Sequence, residues 1–271
     1  MCRIVDMINH IKYRIGKYIT GRLTFKFSNF KPNSAGSYKM RNQITEYNIN
    51  NLIPNLNNIS NFFNDVPVIL ADNLEIDKNI EVKIKEKFIK SGSDKSTIHN
   101  YEKIYAYILN NVPENLNLLE IGMGTNNKNI ISNMGVGGSP GASLRAFSSI
   151  FPNGKIYGAD IDKEILFEEG NIKCYHLDQR EYQNYLTLAD KIRADRLDLI
   201  IDDGLHTQSS NLNSLMFALN YLNTNGYLII EDIPEYALET WKIISNLIDE
   251  RYESQIIKTR HFYVFLLKKC K

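Results

Sequence analysis

Residues 117–147 read NLLEIGMGTNNKNIISNMGVGGSPGASLRAF. The segment opens as an apolar run, Leu118-Leu119-Glu120-Ile121. It continues as a loop carrying Gly122, Gly124, Gly135, Gly137, Gly138 and Gly141, and closes in a helix-like stretch at 142–147. Strand, glycine loop and helix in that order are how an α/β protein meets a nucleotide-like ligand. Glycine lets the backbone turn tightly and approach the ligand, and a helix N-terminus offers N–H groups that have no partner of their own.

Outward from this segment, strand-like and helix-like stretches alternate. Strands are expected at 118–121, 155–160, 172–177, 197–202 and 227–231. A helix is expected at 211–222, where Leu212, Leu215, Met216, Leu219 and Leu222 line one face. Residues 241–252 read as another helix, and 255–258 with 261–267 as a closing pair of strands. Such alternation implies a mostly parallel sheet with helices on both sides.

The whole chain narrows the possibilities. Its 271 residues accommodate one α/β domain plus an extension, and 43% hydrophobic content supports a substantial core. A formal net charge of +1 gives no case for nucleic acid as a partner. Cys2, Cys174 and Cys270 lie far apart with no CxxC spacing. Neither a zinc site nor a disulfide framework is therefore indicated, and a reducing, cytoplasmic location fits. No stretch approaches the ~18 consecutive apolar residues of a membrane span, and charges break the early apolar runs before a signal-peptide core can form.

Residues 1–31 are locally basic, with Arg3, Lys12, Arg14, Lys17, Arg22, Lys26 and Lys31 against Asp6, and Ile4, Ile8, Ile11, Ile15 and Ile19 recur at helical spacing. An amphipathic basic helix can rest on an anionic membrane surface, but packing on its own domain or on another subunit is the favoured reading. Residues 32–64 are Asn-rich and read as an irregular connector, and 73–90 as a charged helix with a solvated face. The expected division is a helical or irregular extension at 1–90, serving as a cap or as the contact of a homo-oligomer, and a ligand-binding domain at 91–271.

Ligands of open α/β sheets bind beyond the carboxyl ends of the strands. Those ends carry a series of acids and amides: Glu120, then Asp160, then Asp178 with Gln179, then Asp202, Asp203 and His206, then Glu231 and Asp232. A carboxylate after the second strand is suited to a ribose diol, and an Asp-Gln pair after the third to an adenine edge. Any one of them alone can be a helix cap. Upstream, Asp94, Lys95, His99 and Tyr101 either face a ligand or only enter a helix capped by Ser96 or Thr97.

This series resembles the class I S-adenosylmethionine (SAM) dependent methyltransferases. GxGxxG is absent, and Glu120-Ile121-Gly122-Met123-Gly124 is followed by a separate Gly141-Ala142-Ser143-Leu144. A nicotinamide dehydrogenase fits poorly, because the glycine spacing is wrong and no Tyr-x-x-x-Lys pair stands at the expected helix. Four further features resemble the metal-dependent macrolide-sugar and carbohydrate O-methyltransferases. They are Asp94-Lys95 with His99 and Tyr101, Ile150-Phe151-Pro152-Asn153, Ile201-Asp202-Asp203-Gly204-Leu205-His206, and Ile230-Glu231-Asp232.

The resemblance implies an α/β, Rossmann-like fold: a seven-stranded, mostly parallel sheet with an antiparallel final strand, plus the N-terminal extension. It implies that Glu120, Gly122 and Gly124 line the methionine end of SAM, with Ser143 also binding the cofactor. Asp160 would hold the ribose, with Asp178, Gln179 and Asp202 completing the cofactor site. It implies Mg²⁺ on Asp203, Glu231 and Asp232, a sensible set because hard oxygens suit that ion and clustered acids repel unless a cation or proton joins them. Asp203 and His206 would be catalytic, His206 as general base. Lys95, His99, Tyr101 and Arg145 would face the acceptor, expected to be a hydroxyl of a sugar, sugar nucleotide or surface-polysaccharide precursor. Two alternatives stand beside this: a phosphate-like oxygen as acceptor, which would give Lys95 and Arg145 more weight, or a non-catalytic SAM- or nucleotide-binding module. The departure from the family pattern is an insertion at 125–140, which separates the glycines and leaves open which of them touch the cofactor.

Overall fold

A computed structural model describes residues 35–62, 64–109, 111–192 and 196–271. The expectations for residues 1–31 lie outside these described residues. The chain divides into two compact units, residues 1–64 and residues 65–271. In the first unit a helix, α1 (Ala35–Asn61), replaces the expected irregular connector. Asparagine is a weak helix former, but propensity is only a weak prior, and even the interior Pro54 does not end the helix.

The second unit begins at Asp65, well before the boundary expected at residue 90, because β1 (Val68–Leu70) and α2 (Lys78–Ser91) belong to the α/β core. Asp77 caps α2, its carboxylate accepting from Asn79 N, and the left-handed Gly92 ends it. The helix is not simply a solvated face. Ile84 and Phe88, four residues apart, are buried, and the Phe88 ring lies 5.3 Å from Phe147 and 5.4 Å from Tyr105.

After α3 (Glu102–Leu109) come β2 (Asn117–Ile121), α4 (Ala142–Ile150), β3 (Lys155–Asp160), β4 (Glu168–Glu169) and β5 (Ile172–His176). They are followed by α5 (Tyr182–Lys191), β6 (Leu197–Asp202), α6 (Gln208–Tyr221), β7 (Leu222–Ile233), α7 (Leu238–Leu247), β8 (Tyr252–Lys258) and β9 (Tyr263–Lys269). The strands form one sheet in the order β1-β8-β9-β7-β6-β2-β3-β5-β4. Only β4 and β9 run against the rest. The sheet has nine strands rather than seven, since β1 pairs with β8 at one edge and β4 with β5 at the other. Both additions are too short to display a period-two pattern.

Successive strand residues point to opposite faces, so the buried runs supply two cores. Leu118, Ile156, Leu199, Ile201 and Ile229 face one cluster, with Phe88, Ile104 and Phe147 from the helices on that side. Leu119, Ile121, Ile200, Leu228 and Ile230 face the other, with Tyr185, Phe217 and Trp241. β2 lies between β3 and β6. From β2 the chain winds one way through β3 and β5, then returns to β6 on the other side. The carboxyl ends of β2 and β6 are thus the topological switch point where such sheets open a crevice.

Candidate active site

A cavity of about 550 Å³ opens at that switch point, a size typical of small-ligand sites. One wall is the glycine loop. Gly122 has φ 85, and a Cβ there would lie 2.2 Å from the Asp203 carbonyl oxygen, so only glycine lets β2 and the loop after β6 come together. Asp203 N donates to Ile121 O at 2.8 Å across the same junction. The Asp160 carboxylate is braced by two backbone donors, Met123 N on Oδ2 at 2.8 Å and Asp162 N on Oδ1 at 2.9 Å. Burial raises its pKa against the pull of those bonds.

The insertion at 125–140 starts and ends at the same place in the fold. Gly141 N donates to Met123 O at 2.8 Å, so the two ends of the excursion meet. Within it, Met134 N bonds to Thr125 O, and the Met134 thioether lies over Gly124, where a Cβ would come within 1.8 Å of sulfur. Asn129, Ile130, Ile131, Ser132, Asn133 and Met134 then line the cavity. Sequence reasoning left this role open, because a loop without periodicity carries no signal of what it covers.

At the other end of the cavity the acidic strand ends gather around Lys95, which is only 2% exposed. Its ammonium contacts Glu231 Oε2, lies 2.6 Å from Asp203 Oδ2 and 3.4 Å from Glu120 Oε1. Burial alone would push this lysine toward its neutral form; the surrounding carboxylates outweigh that and hold it charged. Asp203 feels the converse. Its desolvation is overcome by Lys95 and His206, which hold its carboxyl below the usual range. From α3, Tyr105 OH donates to Glu231 Oε1 at 2.7 Å. Just before α3, Tyr101 OH donates to Asp232 Oδ1. Burial and the adjacent carboxylates keep both phenols protonated.

His206 and Asp232 both adopt left-handed backbone, φ 56 and φ 54, a conformation that costs non-glycine residues about 1–3 kcal/mol and collects at functional sites. Their side chains converge. His206 Nε2 lies 3.9 Å from Asp203 Oδ1 and 3.8 Å from Asp232 Oδ2. Asp203, His206 and Asp232 each offer a ligand atom within 4.8 Å of the others, the spacing a metal ion needs.

Of the residues expected at the site, Lys95, Gly122, Gly124, Ser143, Asp160, Asp178, Gln179, Asp203, His206 and Asp232 line the cavity. Six do not. Glu120 is fully buried beneath it, accepting from Ser143 Oγ at 2.5 Å. Glu231 is 1% exposed and held by Lys95 and Tyr105 rather than facing outward. Asp202 is an internal anchor that accepts from Gln179 Nε2 at 2.6 Å and Asn211 Nδ2 at 2.9 Å. Tyr101 acts through Asp232, and His99 stacks on its ring at 5.1 Å. Arg145 stacks on Phe167 at 4.4 Å and bonds to Glu169 and to Pro140 O. Gln179, although at the wall, spends its amide on Asp202, Ser214 and Leu205 N, which pins the loop after β6. Asp178 pairs with Arg180 at 2.6 Å. Tyr105 was missed as a site residue; its only signal is a hydroxyl four residues from Tyr101 on an otherwise apolar helix face.

No protein-family model matches the chain. Two curated relatives are similar to parts of it. The 8-demethyl-8-alpha-L-rhamnosyl tetracenomycin-C 2'-O-methyltransferase of Streptomyces olivaceus is 27% identical over 146 residues, covering 54% of this chain and 36% of its own. The mycinamicin VI 2''-O-methyltransferase of Micromonospora griseorubida is 33% identical over 107 residues, covering 37% of this chain and 26% of its own. The chain thus spans only about a third or less of the length of these relatives. Among solved structures, the MycE methyltransferase of the mycinamycin biosynthetic pathway, in complex with Mg and SAH, superposes with a TM-score of 0.55 at 22% identity. The match covers 70% of this chain and 55% of MycE. A second MycE structure, with Mg, SAH and mycinamycin VI, matches equally well in TM-score, 0.55. The likeness shows the fold: the sheet and its helices have the Rossmann-like architecture of class I methyltransferases.

Proposed function

We propose that this chain is a SAM-dependent O-methyltransferase whose acceptor is a hydroxyl of a sugar, sugar nucleotide or surface-polysaccharide precursor. The observation that carries the reading is a single cavity. It joins the glycine loop and Asp160 at one end to Asp203, His206 and Asp232 at the other. The first end suits a nucleoside, the second a nucleophile that must lose a proton. The relatives named for sugar-hydroxyl methylation and the MycE complexes with Mg and SAH support the same reading.

Asp160 keeps lone pairs free for a ribose diol while its two backbone donors fix its orientation. The methyl donor arrives activated as a sulfonium. The S–CH₃ bond breaks with its electron pair left on sulfur, and an O–CH₃ bond forms from the acceptor hydroxyl. The hydroxyl proton passes to His206 Nε2, which lies 3.9 Å from Asp203 Oδ1 and 3.8 Å from Asp232 Oδ2. The protein's contribution is alignment and a base, since no further activation of the electrophile is needed.

The donor set fits a hard divalent cation. Asp203 and Asp232 present carboxylate oxygens within reach of a common point, and their mutual repulsion is relieved by a cation there. Mg²⁺ bound to them would polarise a neighbouring sugar hydroxyl and lower its pKa. A phosphate-like acceptor is less favoured, because Lys95 is surrounded by carboxylates and Arg145 is committed to Phe167, Glu169 and Pro140.

No helix among the described residues is long and apolar enough to cross a membrane. We place the enzyme in the cytoplasm, with the N-terminal extension serving homo-oligomerisation. The test is transfer of labelled methyl from SAM to a panel of nucleotide sugars and phosphorylated small molecules, with and without EDTA. The expected result is labelling of a sugar hydroxyl that falls at least about 100-fold in His206→Ala. SAM binding with no transfer to any member of the panel favours a non-catalytic module. Full activity of Asp203→Ala in EDTA removes the cation from the scheme.

A further inference from the structure

Besides Asp203 and Asp232, three carboxylates line the cavity, those of Asp94, Asp160 and Asp178. Two of them find donors within the chain. Asp160 accepts from Met123 N and Asp162 N, and Asp178 pairs with Arg180 at 2.6 Å. The Asp94 carboxylate has no hydrogen bond or ion pair among the described residues. An aspartate at a helical entry is ordinarily its cap. Here Ser93 takes that role, its Oγ accepting from Lys95 N at 3.4 Å. The Asp94 carbonyl meanwhile accepts from Thr97 N at 3.0 Å and Ile98 N at 2.9 Å. The backbone of Asp94 is thus fixed, and its half-buried side chain is left for the cavity.

The turn that holds Asp94 lies beside the start of α4. Lys95 reaches Glu120 Oε1, and Glu120 Oε2 accepts from Ser143 Oγ. On the other side of Asp94, a Cβ added to the left-handed Gly92 would lie 3.7 Å from Ser139 Cβ. Ser139, Ala142 and Ser143 line the cavity together with Asp94. We infer that Asp94 binds the α-ammonium group of the methyl donor. The inference rests on the proposed use of SAM. With the ribose at Asp160 and the methyl group directed at His206, the amino-acid tail leaves sulfur past Gly122 and Gly124 toward the start of α4. That tail carries one ammonium and one carboxylate. The lysine and the arginine that line the cavity are committed, Lys95 to three acids and Arg180 to Asp178. A ligand ammonium therefore supplies what the chain does not. It satisfies a carboxylate partly withdrawn from water through a charge-assisted hydrogen bond. Anchoring the tail also fixes the sulfur, and so the methyl group, relative to His206.

The test is calorimetry on the full chain with three probes: SAH, its analogue without the amino group, and methylthioadenosine, which lacks the whole tail. The parent is expected to bind SAH about 10- to 100-fold more tightly than the deaminated analogue, the range of a hydrogen bond to a charged group. Asp94→Asn is expected to lose about that factor for SAH. Its binding of the deaminated analogue and of methylthioadenosine is expected to weaken by no more than about threefold, which also reports that the variant is folded. A parent that binds SAH and the deaminated analogue equally overturns the inference without recourse to any variant. So does an Asp94→Asn protein that keeps its SAH affinity, or one that loses SAH and the deaminated analogue alike. A raised acceptor KM in Asp94→Asn with unchanged SAH binding overturns it as well and hands the carboxylate to the acceptor. Absence of SAH binding to the parent discards the proposed use of SAM itself, and the inference with it.

Discussion

Replacing Glu120 by glutamine should make the protein more stable, and only above a defined pH. Glu120 is fully buried in β2. One oxygen accepts from Ser143 Oγ, while the other has no hydrogen-bond partner among the described residues and only the Lys95 ammonium at 3.4 Å. Desolvation outweighs these contacts and raises its pKa from 4.5 to about 6. In a folded chain that holds this proton more tightly than the unfolded one, stability is highest below the unfolded pKa. It falls as pH rises through the folded pKa. The loss is about 1.5 × 1.36, or roughly 2 kcal/mol, complete by pH 7.5 and absent at pH 4. Glutamine has the same shape, accepts from Ser143 and carries no charge to desolvate. Urea denaturation of the metal-free protein at pH 5, 6.5 and 8 should show Glu120→Gln gaining up to about 2 kcal/mol at pH 8 and little at pH 5. That is a large fraction of a typical 5–15 kcal/mol total. A variant destabilised at pH 8, or one whose difference is the same at all three values, refutes the reasoning. It would mean that the ion pair with Lys95, not desolvation, governs this carboxylate.

The other expectations follow from single contacts. Gly122→Ala places a methyl 2.2 Å from the Asp203 carbonyl oxygen on a left-handed backbone. It should cost at least about 2 kcal/mol by chemical denaturation and abolish methyl transfer. Asp160→Asn exchanges a charged acceptor for a neutral amide and should weaken binding of SAM's product by about 10- to 100-fold in calorimetry. Arg145→Ala should leave the SAM and acceptor constants within about twofold, because its guanidinium is spent on Phe167 and Glu169 outside the cavity. A large rise in the acceptor KM would return Arg145 to the site.

Much of the fold was legible because its signals are local. The glycine loop, the alternation of strand and helix, and the closing pair of strands each occupy a short stretch of chain. β3 and β6 fall at 155–160 and 197–202, as read from their apolar runs. Elements without such a signal were misread. α1 was hidden by its asparagines, β1 and β4 by their brevity, and the core face of α2 by the charges that surround Ile84 and Phe88. The insertion at 125–140 carries no period at all, and only the folded chain, which sets residues 129–134 along the cavity, shows that it forms a wall.

By itself the sequence determined that carboxylates crowd the ends of the parallel strands beside a glycine loop, because strand, turn and helix are written in residues next to one another. It did not determine which carboxylates reach the ligand. The adjacent pairs Asp202-Asp203 and Glu231-Asp232 each divide, one acid turned inward to Gln179 and Asn211 or to Lys95 and Tyr105, the other facing the cavity. Neighbours along a strand leave on opposite faces, and at a strand's end the direction depends on the left-handed turn that follows and on the donors waiting across the fold. Lys95 lies 108 residues from Asp203 and 136 from Glu231. Only the folded chain brings that ammonium to the acids, and with it the division between the charges that stay inside and those left for chemistry.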